Sequence, residues 1–285
     1  MDIHRPDPTG PIFINQGTYA RRVVHEYGMQ NCNPVKTPLD ASIKLHKRQD
    51  NEPPADDTLY REIVGKLNHL AIYTRPDLAQ SLSKLSEFLS KPSEEHMRAA
   101  KHILRYLNGT LDLGILYSPD PASNLPEGFC DVSFDTDPDD SKSTSGWLYK
   151  LANGVISYGS NKQSCVALSS MESEYMALTE AAKEAISLQN LLESLNITKR
   201  EEPIILRTDS QSAFDHIKNN VNHSRTKHIR RRHHFIREAY SNGEVDILRI
   251  SSEEQAADVL TKALPHIKHA EAIRQLNLQS IPMDS

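Results

Sequence analysis

Residues Gly128 to Gly146, GFCDVSFDTDPDDSKSTSG, read as a β-strand, an acidic loop and a second strand. Asp131 stands inside the first strand, with apolar residues close on both sides. An unpaired charge buried in a strand is costly, so an acid there implies a positive partner. Two further acids occupy comparable settings. Glu174 lies in VALSSMESEYMALTEAAKEAISLQNLL, a long helical pattern, and Asp209 ends the strand IILRTD. Asp258 lies in EEQAADVLTK, between Ala257 and Val259.

Working outward, the 285 residues suffice for one large or two modest domains. Hydrophobic content of 38% and charged content of 25% are those of a soluble globular chain, and a mean hydropathy of −0.56 leaves much polar surface. No run approaches the ~18 apolar residues of a membrane span, so no membrane partner is expected. The start, MDIHRPDPTGP, lacks the apolar core of a secretory signal. Three cysteines, Cys32, Cys130 and Cys165, lack metal spacing and read as buried free thiols in a reducing, intracellular compartment. The net charge of −5 argues against nucleic-acid binding only as a total. Locally, Asn222–Arg237 (NHSRTKHIRRRHHFIR) holds six basic residues, four histidines and no acid. It reads either as a phosphate-facing helix or as a solvated helix face.

Hydrophobic spacing divides the chain. GPIFIN is a short strand, Gln16–Tyr27 a helix, and the Pro-rich stretch Asn31–Ala55 an extended loop. Helices follow over Asp57–Tyr73, Asp77–Leu89 and Pro92–Leu107, the last with Ser93 as N-cap, and then a strand in GILYS. From Gly128 the pattern turns β-rich. Strands are expected over Gly128–Phe134, Ser145–Leu151 and Gly154–Gly159, with Asn153-Gly154 marking a hairpin. Helix Ser169–Leu195, strand Ile204–Thr208 and helix Ser210–Lys218 come next. Helix Arg225–Ser241, strand Val245–Ile250 and helix Glu253–Leu260 complete an α/β domain.

Each acid has an ordinary alternative. Asp131 suits an edge strand facing water, Glu174 a surface glutamate, Asp209 the N-cap of the following helix and Asp258 an exposed helical acid. Together they form a pattern on two strands and two helices. Oxygen-only carboxylate ligation suits Mg²⁺ or Mn²⁺. Two such ions about 4 Å apart can activate a water and stabilise a leaving oxygen in phosphodiester cleavage.

At these residues the chain resembles the RNase H region of copia-type retrotransposon Pol polyproteins. The matching runs are FCDVSFDTDPDDSKSTSGWLY, VALSSMESEYMALTEAAKEAISLQNLL, RTDSQSAF, HSRTKHIRRRHHFIRE and EEQAADVLTKALP. Upstream, YREIVGKLNHLAIYTRPDLAQSLSKLS and HMRAAKHILRYLNGTLDLGILY resemble the segment between polymerase palm and RNase H. INQGTYARRVVHEYGMQNCNPVKTPL resembles the thumb side. The resemblance implies an RNase H-like mixed five-stranded sheet with flanking helices over residues 127–265. Before it come a mainly helical thumb/connection-like region, 1–118, and a linker, 119–126; after it comes a tail, 266–285. It further implies an endonuclease that cuts the RNA strand of RNA–DNA hybrids with two Mg²⁺ ions, Mn²⁺ serving as a substitute. Asp131 would bridge both ions, with Glu174, Asp209 and Asp258 as the other ligands. Ser210 and Gln211 would lie near the substrate backbone. His223, Arg225, Lys227 and His228 match the family's basic run, and Arg230 and Arg231 extend it; hybrid contact there is inferred from charge. The polymerase part of the same polyprotein is an expected partner, in a virus-like particle or the nucleus.

Departures from the family pattern also bear on function. No Tyr-x-Asp-Asp motif occurs, so the chain is expected to be a truncated element without DNA synthesis. Phe134 and Tyr158 stand where the family usually has Trp, Arg230–Arg232 is unusually basic, and no histidine lies between Ile250 and Asp258. Two rival readings are an inactive decayed copy that at most binds nucleic acid, and an integrase- or resolvase-like nuclease on the same fold.

Overall fold

A computed structural model describes residues 1–118, 125–134, 137–197, 202–218 and 230–280. The chain divides into two compact units. The first gathers residues 1–119, 137–140 and 262–285, and the second residues 120–136 and 141–261.

In the first unit, strands β1 (Asp2–His4) and β2 (Ile12–Asn15) precede α1 (Gly17–Glu26). Helices α2 (Asp57–Tyr73), α3 (Ala79–Ser86) and α4 (Glu94–Asn108) follow, then β3 (Leu113–Tyr117). α2 starts where Asp56 accepts the backbone N–H groups of Thr58 and Leu59, both at 3.0 Å, which satisfies donors that a helix start leaves open. Its apolar spacing buries Tyr60, Ile63, Val64, Leu67 and Leu70. Each such side chain contributes roughly 1.5–3 kcal/mol. The helix expected from Asp77 begins as a 3-10 turn, Pro76–Leu78, with Pro76 at its first position. α4 opens with a reciprocal cap: Ser93 Oγ accepts from the His96 backbone, and His96 Nδ1 accepts from the Ser93 backbone at 2.9 Å.

The unit is less purely helical than the sequence implies. Its four strands pair in the order β1-β2-β3-β9, all antiparallel. The fourth, β9 (Leu278–Ser280), follows helix α8 (His266–Gln275). The stretch expected as a C-terminal tail is therefore helix and strand over 266–280. β9 is three residues long and pairs on one side, too little for a periodic signal.

In the second unit, β4 (Glu127–Ser133), β5 (Thr144–Leu151) and β6 (Gly154–Lys162) form an antiparallel meander. The hairpin turn sits at Ala152-Asn153, both at positive φ (51° and 62°), one residue before the expected Asn-Gly. Helix α5 (Ser170–Ser194) crosses to β7 (Ile204–Thr208); α6 (Gln211–Lys218) and α7 (Arg230–Ser241) lead to β8 (Val245–Arg249). The sheet order is β6-β5-β4-β7-β8, with β7 and β8 parallel to β4. α5 places Ala177, Ala181, Ala182 and Ala185 in the core it shares with this sheet and α7, all fully buried. The Tyr149 hydroxyl donates to the Ala181 carbonyl across that contact. After β8 the chain makes a 3-10 turn, Ala256–Leu260, where the sequence implies an α-helix from Glu253. Among the described residues, no helix is long and apolar enough to cross a membrane.

Candidate active site

Asp131 lies near the C-terminal end of β4 and is 5% exposed. Its cross-strand partner is Gly146 of β5. A Cβ at Gly146 would meet Thr261 Cγ2 at 2.6 Å and Leu260 Cβ at 2.8 Å. Only glycine therefore lets the Ala256–Leu260 turn settle onto the strand pair. That close approach carries Asp258 to the sheet and lets the Thr261 hydroxyl donate to Asp131 Oδ2. Gln255 secures the turn from its start: its Nε2 donates to the Cys130 carbonyl at 3.0 Å, and its Oε1 caps Ala257.

Asp209 follows β7 directly. The parallel pairing runs from Glu127–Ile205 to Phe129–Arg207, two residues short of both Asp131 and Asp209. The capping alternative for Asp209 falls away. Ser210 caps α6, its Oγ accepting from the Ala213 backbone at 3.3 Å, while Asp209 Oδ2 accepts from Ser252 Oγ at 2.8 Å. Gln211 opens α6 and is exposed.

Glu174 projects from the second turn of α5 and is half-buried. Its neighbour Glu172 is used differently. Ser169 Oγ accepts from the Glu172 backbone, and Glu172 Oε2 accepts from the Leu168 backbone at 2.7 Å, which closes the helix start. Three of the acids act on the buried Cys130 thiol. Burial pushes its thiol well above the ordinary range, and the negative charges of Glu174, Asp131 and Asp209 push the same way. The site does not show the convergence to within a few ångströms that four ligands of one metal centre imply: among the described residues, no three of the four carboxylates bring ligand atoms within 4.8 Å of one another. Its donor set, four carboxylates and the Thr261 hydroxyl, is all oxygen and fits Mg²⁺ or Mn²⁺.

Among the residues of the basic run, His223, Arg225, Lys227 and His228 lie outside the described residues, and Arg230 and Arg231 open α7. Sequence reasoning missed Thr261, Ser252, Gln255 and Gly146. Of these only Gly146 carries a local signal, as a glycine inside a strand.

A meander of three antiparallel strands, a crossover helix and two parallel strands, with acids at the carboxyl ends of its central strands, defines an RNase H-like domain. Over most of its length the chain is similar to part of copia-type retrotransposon Pol polyproteins. It is 38% identical over 274 residues to the Retrovirus-related Pol polyprotein from transposon TNT 1-94 of Nicotiana tabacum, covering 94% of this chain and 20% of that one. It is 34% identical over 271 residues to the corresponding polyprotein from transposon RE2 of Arabidopsis thaliana, covering 95% and 18%. A shorter relative, the secreted RxLR effector protein 161 of Plasmopara viticola, is 43% identical over 129 residues, 45% of this chain and 90% of that one. The chain thus spans about a fifth of the length of the Pol polyproteins it matches. No family model matches. Among solved structures, RNase H1 from the archaeon Halobacterium salinarum aligns with 52% of this chain and 97% of its own, at 18% identity and a TM-score of 0.37.

Proposed function

We propose that the second unit is an RNase H-type endonuclease that hydrolyses the RNA strand of RNA–DNA hybrids. The observation that carries this reading is the origin of Asp131 and Asp209 at the carboxyl ends of the neighbouring parallel strands β4 and β7. The Asp258 turn, seated on Gly146 beside Asp131, adds to it. In this reading Asp131, Glu174, Asp209 and Asp258 hold two divalent ions, Mg²⁺ in preference to Mn²⁺. Such ions, when bound, supply an activated water and charge stabilisation at the leaving oxygen.

The chain's own groups do the positioning. The Thr261 hydroxyl holds Asp131 by one carboxylate oxygen and so fixes how the acid faces the site. Ser252 orients Asp209 from the start of the loop after β8. Ser210 and Gln211, at the start of α6, lie next in sequence to Asp209 and are offered to the substrate backbone. The basic run, His223, Arg225, Lys227 and His228 with Arg230 and Arg231, supplies the charge that attracts the hybrid's phosphates. The first unit is the thumb/connection-like part, and the polymerase part of a polyprotein is the partner that delivers substrate. The setting is intracellular.

The test is cleavage of a labelled RNA–DNA hybrid in Mg²⁺, with double-stranded RNA and double-stranded DNA as controls. Weak, hybrid-only cleavage limited by affinity is expected, and Asp131→Asn abolishes it while the melting curve stays close to the parent's. Parent protein inert at saturating hybrid and Mg²⁺, or Asp131→Asn as fast as the parent, refutes the proposal.

A further inference from the structure

The first unit contains a second group of metal-ligating side chains, unrelated to the carboxylates around Cys130. It is formed by His46 and Glu52 from the loop before α2 and Glu95 from the first turn of α4. One ligand atom from each lies within 4.8 Å of the other two, and all three residues are half-buried.

The geometry is held in place from outside. His46 Nδ1 lies 3.1 Å from the Lys47 carbonyl. A carbonyl only accepts, so Nδ1 carries the proton and the Nε2 lone pair is directed away from it. That is the arrangement in which a backbone carbonyl orients a metal-bound imidazole. Nε2 is 3.6 Å from Glu52 Oε1, while the other Glu52 oxygen accepts from the Gln49 backbone at 2.9 Å. The loop itself is stitched to the start of α4. His96 Nε2 donates to the His46 carbonyl at 2.9 Å, Glu94 N to the Pro53 carbonyl at 3.1 Å and Ala55 N to the Pro92 carbonyl at 3.2 Å. The three ligands therefore sit on one cross-braced piece of backbone.

We propose that His46, Glu52 and Glu95 bind a divalent transition-metal ion of the Zn²⁺ class. One imidazole and two carboxylates match that chemistry better than the all-oxygen sets of Mg²⁺ or Ca²⁺. Three protein ligands leave a fourth position for water. The positive end of α4 opposes a cation by about half a charge, and two full carboxylates outweigh it. The bound ion clamps the 46–55 loop onto the start of α4.

The experiment uses the full chain carrying Asp131→Asn and Asp209→Asn, which weakens the other carboxylate group, titrated with Zn²⁺ by calorimetry and followed by thermal melting. One ion per chain and a raised melting temperature are expected. His46→Gln and Glu95→Gln, each added to that background, should lower affinity by more than about 100-fold, beyond the 10–100-fold that loss of a mere supporting partner costs. Metal-free melts of these variants should match the background protein; Glu52→Gln serves in place of either one that does not fold. Zn²⁺ binding unchanged by His46→Gln would locate the ion elsewhere, such as in the histidine-bearing run 223–234, and overturn the proposal. No binding at millimolar Zn²⁺ would overturn it too, leaving a protonated His46 paired with Glu52. Neither outcome bears on hybrid cleavage.

Discussion

Replacing Gly146 with alanine tests how the site is assembled. The added Cβ would meet Thr261 Cγ2 at 2.6 Å, Leu260 Cβ at 2.8 Å and the Leu260 carbonyl carbon at 3.1 Å. Ordinary carbon contacts lie near 3.5–4.0 Å, so the turn must retreat by about 1 Å. Overpacking of this kind costs about 1–3 kcal/mol, which at roughly 4 °C per kcal/mol is a fall of about 4–12 °C in melting temperature. The retreat also withdraws the turn that carries Asp258, and the Thr261 hydroxyl, from Asp131. A misplacement near 1 Å can cost on the order of 100-fold in rate. Gly128→Ala is the matched control: it lies in the same strand pair, and its Cβ would meet Leu206 Cδ2 and Tyr149 Cε1, both at 2.6 Å. It should lose comparable stability, since the Tyr149 ring is tied to α5, but little activity per folded molecule. The assays are thermal melts and the cleavage rate at saturating hybrid, corrected for the folded fraction. Equal activity losses in the two variants would refute the claim that Gly146 seats the catalytic turn.

Arg75 and Asp77 form a fully buried ion pair at 2.8 Å in the first unit, joined by Tyr106, which also meets His269 of α8. Arg75→Met strands the Asp77 charge and should cost about 3–5 kcal/mol, whereas Arg75→Met with Asp77→Leu should recover most of it by denaturant unfolding. Burial lowers the proton affinity of His96, His102 and His269. Folded values below the ordinary 6.5 of an exposed imidazole mean that stability is fully present above that pH and lost as pH falls through the folded values. The first unit should therefore melt lower at pH 5 than at pH 7, and His102→Gln should reduce that difference. Arg230→Ala, Arg231→Ala and Arg232→Ala together should flatten the log–log salt dependence of hybrid affinity by about 0.9 for each duplex phosphate they neutralise in the parent; an unchanged slope would make these residues a solvated helix face.

Elements whose signals are local were legible in the chain itself. α2 spans Asp57–Tyr73 and β7 Ile204–Thr208, as their apolar spacing implies, because one face of each is buried along its whole length. Ser93 marked its helix start, since a cap is satisfied within three residues; Ser169, expected inside its helix, turned out to cap it. The four acids were legible as residue types in a pattern. Their relations were not. That Ser210 rather than Asp209 caps α6, that Asp131 and Asp209 follow the pairing of neighbouring parallel strands, and that the Asp258 segment is a 3-10 turn held against Gly146 all depend on strand register and close approach. β9 became a strand only because β3 offers it an edge to pair with. The His46, Glu52 and Glu95 group spans 49 residues between its first and last members, and hydrogen bonds to the start of α4 bring it together. Burial periodicity is written into neighbouring residues, whereas contacts between distant segments exist only once the chain has folded.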